Sequence, residues 1–448
     1  MRTILLNIIV AAVGTFILSL TFAGRGAEPS LMLYASVGPR LMTYDANADA
    51  ASLVERGSVT LPGYVQEAWA HPSKPVLYVA WSNGGALYPS QGGAARAATE
   101  SGITAFRIDA ASGELQALGQ PTALRGRPIY ITCDVSCRHL LAAYPDPSGI
   151  SVHNVRDDGT LDREVAQPNP LDVGTYAHQV RVAPSNNVVV VVTRGNEPTA
   201  EKPEDRGAVK LFRFHDGILS NVASVAPNGG IAFRSRHVDF HPTRPWVYLT
   251  LEAQNKLEMY RWMDGETLAP APSFVADTLM APPKPATRQV ASSIHVHPNG
   301  GVVYVANRAA GTVDVGGRAV FAGGENSIAV FSIDSQTGEP RRVQNIDTHG
   351  IQPRTFAIDP SGRMLVVGNQ TAMLARDGSA IRTVPPNLAV FRIDRTGRLT
   401  FVRTYDVAAG REPLLWVGMI ARRTRHRSSF SDGARSRVLP SALTRFCR

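Results

Sequence analysis

The chain has 448 residues, 44% hydrophobic and 19% charged, which excludes disorder for its bulk and exceeds one ordinary core unless the chain is a closed repeat. Its 39 glycines and 31 prolines, with no long Ala/Leu/Glu/Lys-rich stretch, exclude a helical protein and call for many turns. Of the net charge of +9, most sits between Ala421 and Arg448, where eight arginines face one aspartate. A basic nucleic-acid groove on the folded body is therefore excluded, and 421–448 reads as a solvated, disordered tail.

At the other end, Arg2 precedes an apolar run from Ile4 to Ala23 that closes on Thr21-Phe22-Ala23. Residues 1–23 are expected to be a secretory signal peptide, giving a periplasmic or secreted protein. Left uncleaved, a run of about 20 residues also suffices as a membrane anchor. Cys133 and Cys137 flank Asp134-Val135-Ser136, and two readings stay open: a bridge across that turn, or two small buried thiols. No Cys/His spacing makes a zinc site, so no metal is expected.

Between the ends, β-rich phrases recur about every 60 residues. HPSKPVLYVAW from His71, APSNNVVVVVTR from Ala183, HPTRPWVYLTLE from His241, HPNGGVVYVANR from His297 and DPSGRMLVVGNQ from Asp359 are each a Pro-led turn followed by a strand. SGITAFRIDAASGEL from Ser101, GAVKLFRFHDGIL from Gly207, NSIAVFSIDSQTGEP from Asn326 and NLAVFRIDRTGRL from Asn387 alternate in polarity and end in Asp/Gly turns, as a third strand, a hairpin and a fourth do. The unit is a four-stranded meander, and a ring of such units is an all-β propeller. Units at about 31–60, 64–120, 128–166, 178–225, 236–276, 292–346 and 352–406 predict seven blades. The first unit lacks one strand, which 414–419 supplies, closing one domain over 31–420.

In each unit the start of the first strand and the end of the second share a face, so positions symmetric about the Pro-led turn are expected to meet. These pairs are Gln66/Ser82, Pro128/Tyr144, His178/Arg194, Arg236/Glu252, Ser292/Arg308 and Arg354/Gln370. Loop ends at a rim are often simply polar surface. Four arginines converging on one channel with little acid to neutralise them instead suit an anion or a developing oxyanion. An imidazole beside Arg194 is biased toward its neutral form and suited to act as a base. His295 and His297 lack a third metal ligand, and His297 shares the turn position of His71 and His241, which favours a structural role. The Gly-rich stretches lack the strand-to-helix context and lysine of a phosphate loop.

From about 31 to 420 the chain resembles the seven-bladed β-propeller lactonase family, with its 6-phosphogluconolactonase and carboxymuconate-cyclase branches. The resemblance rests on AHQVRVAP (177–184), RHVDFHP (236–242), VYLTLEAQNKLEMY (247–260), VVYVANR (302–308), NSIAVFSIDSQTGEP (326–340) and QPRTFAIDPSGRMLVVGNQ (352–370). It implies an active group of His178, Arg236, Glu252 and Arg308, the same four that symmetry selects. The family's usual phrases are replaced here by Thr193-Arg194-Gly195-Asn196-Glu197 and Ala143-Tyr144. Tyr88–Thr99, Pro198–Arg206 and Ala309–Ala322 are insertions, so an altered pocket is expected.

The expected function is a lactone hydrolase, a carboxylic-ester hydrolase acting on a sugar-type or other acidic lactone. His178 would serve as base, or Glu252 if its pKa is raised, with Arg236 and Arg308 on the oxyanion and Arg194, Arg354 and Gln370 holding substrate. The alternatives are a lactonising cyclase and a non-enzymatic ligand- or protein-binding propeller. The expected partner is a small anionic lactone, with no nucleic acid and no cofactor, and the expected state is a monomer.

Overall fold

The computed structural model describes residues 31–85, 98–410 and 412–422. The expected signal segment, all but the first residues of the tail, and most of the Tyr88–Thr99 insertion lie outside the described residues. The described chain folds as seven antiparallel blades in sequence order, six of four strands and the second of five because its outer strand is in two pieces, with one extra sheet. The strands form where β-branched and aromatic residues cluster; Val188–Thr193, for example, holds five valines in a row, all buried, as suits a strand covered on both faces.

The first blade takes its innermost strand from the other end of the chain. Leu414–Ala421 pairs antiparallel with Leu31–Val37, in a register running from Leu31 opposite Ala421 to Val37 opposite Leu414. Leu31, Leu33, Ala35 and Val37 pack with Leu414 and Val417 against Met364, Val366 and Leu388 of the seventh blade. Truncation before Leu414 is therefore expected to lower the urea midpoint sharply, because it strips an inner strand and opens this seam, whereas truncation after Arg422 leaves it unchanged. Equal midpoints for the two truncations would show that the ring does not depend on this closure.

The repeated turns also tie blades together. His241 accepts the N–H groups of Thr243 and Arg244 on Nδ1 at 3.2 and 3.0 Å, which leaves Nε2–H to donate to the Gly300 carbonyl at 3.0 Å. His297 repeats this with Asn299 and Gly362. Tyr34, Tyr78, Tyr248 and Tyr304 donate to the carbonyls of Gly113, Gly159, Gly338 and Gly397, each in the next blade. All four glycines are left-handed, where a side chain would be strained. Cys133 and Cys137 form a disulfide across their turn, which selects the bridged reading.

The extra sheet was not legible as a unit. A hairpin of Thr312–Asp314 and Ala319–Phe321, inserted in the sixth blade, meets a hairpin of Met373–Asp377 and Ala380–Val384 from the seventh. A parallel bridge between Val320 and Leu374 joins them.

Candidate active site

The inner strands share one irregularity. Each of Tyr64–Ala70, Ala177–Val182, Ser235–Phe240, Val290–Val296 and Pro353–Ile358 shifts register near its start. The residues left over are Gln66, His178, Arg236, Ser292 with Ser293, and Arg354. A bulge adds a residue with no partner across the ladder and re-aims its side chain, and here Gln66, His178, Arg236, Ser293 and Arg354 all line one narrow space on the axis. The expected pairing therefore needs correction: Glu252 bonds the carbonyl of Arg234 across the ladder and Arg194 that of Tyr176, not Arg236 and His178. Arg236 reaches Glu252 through the bulge instead, and His178 meets Arg236 rather than Arg194.

Glu252 is the centre of the group. Its Oε1 accepts from Arg236 Nη1 and Arg308 Nη2, each at 2.7 Å, and its Oε2 from Arg194 Nε at 2.5 Å. Three guanidiniums from the fourth, fifth and sixth blades thus converge on one carboxylate that is 5% exposed. Arg236 Nη1 also donates to His178 Nε2 at 3.1 Å. Arg194 lies over the Tyr176 ring at 5.3 Å and bonds Glu197 at 3.2 Å, so it belongs to the centre of the group.

Burial opposes ionisation of Glu252, but Arg236, Arg194 and Arg308 together outweigh it and hold the carboxyl well below the ordinary range. The condition that would have made Glu252 a base is not met. Burial likewise pulls Arg236 and Arg308 down to about 10 even with Glu252 beside them, so both stay cationic at neutral pH. Burial first, then Arg236, Arg354, Arg194 and Arg308, lowers the pKa of His178 far below that of a free imidazole. Its neutral form was expected; its partner is Arg236, not Arg194. Because a guanidinium can only donate, His178 Nε2 must accept and the proton is assigned to Nδ1, which has no hydrogen-bond partner among the described residues. The lone pair that a base would use is occupied.

His178, Arg194, Arg236, Glu252, Arg308 and Gln370 line one cavity of about 560 Å³ at the channel mouth. Arg354 sits one step deeper, with its carbonyl held by the hydroxyls of Ser292 and Ser293, each at 2.8 Å. Several contributors had no signal in the repeat. Tyr176 stacks near His178, and Arg288 reaches the same cavity from a left-handed residue after a short turn. Buried Arg234 bonds the Asn196 carbonyl and Glu204 at 2.9 and 2.7 Å, fixing the Pro198–Arg206 insertion beside the site. Ala310, Thr371 and Met373, which flank or begin the hairpins of the extra sheet, form another part of the wall. Among the described residues no group of three His, Cys, Asp or Glu side chains is arranged to hold a metal.

The family profile described as "Lactonase, 7-bladed beta-propeller" matches residues 40–377. A protein named 6-phosphogluconolactonase from Bacillus subtilis is 28% identical over 322 residues, covering 68% of this chain and 77% of that one. One of the same name from Serratia proteamaculans is 26% identical over 384 residues, covering 84% and 94%. In fold, the chain is similar to the structure titled periplasmic gluconolactonase PpgL from Pseudomonas aeruginosa, with a TM-score of 0.62, 19% identity, and coverage of 88% and 100%. With three quarters of its length under that profile, this chain belongs to the seven-bladed β-propeller lactonase family.

Proposed function

We propose that this protein hydrolyses an acidic lactone at the mouth of the channel. The observation that carries this reading is the charge imbalance around Glu252: buried Arg236 and Arg308 and half-buried Arg194 share one carboxylate, leaving a surplus positive field where an ester oxygen would acquire charge. Arg308 is the donor to the oxyanion, because it lines the cavity and is the more exposed of the two guanidiniums on Glu252 Oε1, at 8% against 1% for Arg236. Arg236 is tied to both Glu252 and His178, so it aligns the group. His178 accepts from Arg236 on Nε2 and so fixes that guanidinium beside Glu252. Gln370, Arg354 and Arg288 supply polar contacts for the acidic substituent. The names of the relatives support a sugar lactone, and the apolar run 4–23 supports an exported enzyme.

The test is a panel of glucono- and 6-phosphoglucono-lactones with other five- and six-membered lactones, followed by acid release. Turnover of at least one acidic lactone is expected, with His178→Ala lowering it about 10-fold or more because Arg236 loses the ring that holds it in place. A wild-type protein inert to the whole panel sinks the hydrolase reading.

A further inference from the structure

Below the mouth, the channel narrows to a neck of about 30 Å³ and then widens into a second cavity of about 290 Å³ toward the opposite face. The neck is polar and large enough to hold water. His178 lines both the mouth and the neck. Glu67, next to the bulged Gln66 on the second blade, lines both the neck and the lower cavity. It is an acidic side chain on the axis that the arginine cluster does not use.

We infer that Glu67 takes the proton of the hydrolytic water, relayed through water in the neck. This rests on the lactonase reading and supplies the base that His178 and Glu252 cannot be. In the step, the water oxygen bonds to the lactone carbonyl carbon while one of its protons passes along the neck to the Glu67 carboxylate. The ring C–O bond then breaks, and that proton returns to the departing ring oxygen, which becomes a hydroxyl. The new carboxylic acid ionises to solvent. The sum is lactone plus water to hydroxy-carboxylate plus one proton, with no redox partner.

The surroundings of Glu67 suit the role. It is half-buried between the two cavities, and desolvation pushes its pKa up to about 8, only partly offset by the Ala68 N–H, Arg354, the Trp416 indole and Arg181. Ala68 donates to its Oε1 at 3.2 Å. Across the neck stand His178, Arg236 and His237 from the fourth and fifth blades, and burial keeps both imidazoles neutral. On the lower side are Tyr130 of the third blade and His295 of the sixth. There Arg181 is neutralised by Asp239 at 3.1 Å, while Arg354 also faces Glu67 in the neck. A general base works best when its pKa lies near the working pH.

The experiment measures kcat and KM from pH 6 to 9.5 on the lactone that the wild type turns over fastest. Glu67→Gln keeps the size and the acceptor oxygen. In the wild type, kcat should rise with pH through about 8, since only the carboxylate accepts. Glu67→Gln should lose that rise and fall about 100-fold at pH 8.5, with KM within a few-fold. Glu67→Asp, which keeps a titrating group at longer reach, should retain the rise at lower kcat and covers the case in which Glu67→Gln does not fold. An infrared carboxylic C=O band that persists at neutral pH in the wild type and vanishes in Glu67→Gln gives a readout independent of turnover. Unchanged kcat and an unchanged profile in Glu67→Gln overturn the inference while leaving the hydrolase reading intact. Inertness of the wild type on every lactone overturns both.

Discussion

Replacing Arg308 by alanine is expected to cut turnover by about 100-fold or more while the folded state barely changes. Arg236 is 1% exposed and Arg308 8%, and that difference decides which of them a substrate can reach. Arg308 spends one nitrogen, Nη2, on Glu252 at 2.7 Å, and its side chain lines the cavity in which a ligand would sit. Without it Glu252 still has Arg236 and Arg194, so the carboxylate keeps two charge-assisted partners and the blade interface survives. A donor aimed at developing negative charge in a water-poor site is worth about 3 kcal/mol of barrier. Arg308→Lys should recover only part of the loss, because an ammonium cannot bond Glu252 and present a second planar donor in the same geometry. Comparing kcat, KM and the urea midpoint for both variants checks this. If Arg308→Ala keeps wild-type kcat, the oxyanion role is wrong.

The contrast between what the sequence revealed here and what it hid follows from the length scale of each feature. Blade number and ring closure are set by hydrophobic alternation and Pro-led turns, which repeat along the chain and are visible as HPTRPWVYLTLE beside HPNGGVVYVANR. The chemical group was legible because strand ends on one face carry symmetric numbers. The contacts were less so, because the bulges that turn Arg236 and His178 inward belong to the backbone and leave no mark in composition. A plain ladder places Arg234 opposite Glu252, as the hydrogen bond between them records. The protein exploits both neighbours: Arg236 reaches the carboxylate through the bulge, and Arg234 binds the adjacent insertion.

Other features stayed hidden for a different reason. The extra sheet joins residues near 320 and 374, two short segments that are unremarkable alone and acquire a role only as walls of the cavity. The Tyr-to-Gly bonds between blades were present in the repeat as VYLT and VVYV, yet their acceptors lie about 80 or 90 residues away, at distances only the ring makes short. Glu67 sits in YVQEAWA among neutral neighbours, and nothing local distinguishes it from a surface glutamate. Its enclosure by the inner strands of the other six blades is what makes it chemically unusual.

Glu252→Gln should be the most damaging single change in the site, costing about 3–5 kcal/mol of stability at neutral pH along with activity. The amide keeps the shape and one acceptor oxygen but removes the charge that offsets two buried guanidiniums, Arg236 and Arg308, and the half-buried Arg194, and an uncompensated buried charge is far more expensive than a broken surface pair. The pH dependence carries the sign. The folded pKa of Glu252 lies below its unfolded value of 4.5, so the unfolded chain binds the proton more readily, and the stabilisation is complete above that value and is lost as pH falls toward the folded pKa. The gap between wild type and Glu252→Gln should therefore be widest above about pH 5.5 and shrink steadily toward pH 3, as the unfolded chain takes up a proton that the folded carboxylate still refuses. Urea midpoints of the two proteins at half-unit intervals from pH 3 to 7.5 measure this directly. A gap that stays constant through acid would mean that the carboxylate is not held by the arginines at all, and Arg236, Arg194 and Arg308 would then need another explanation for sharing one buried spot.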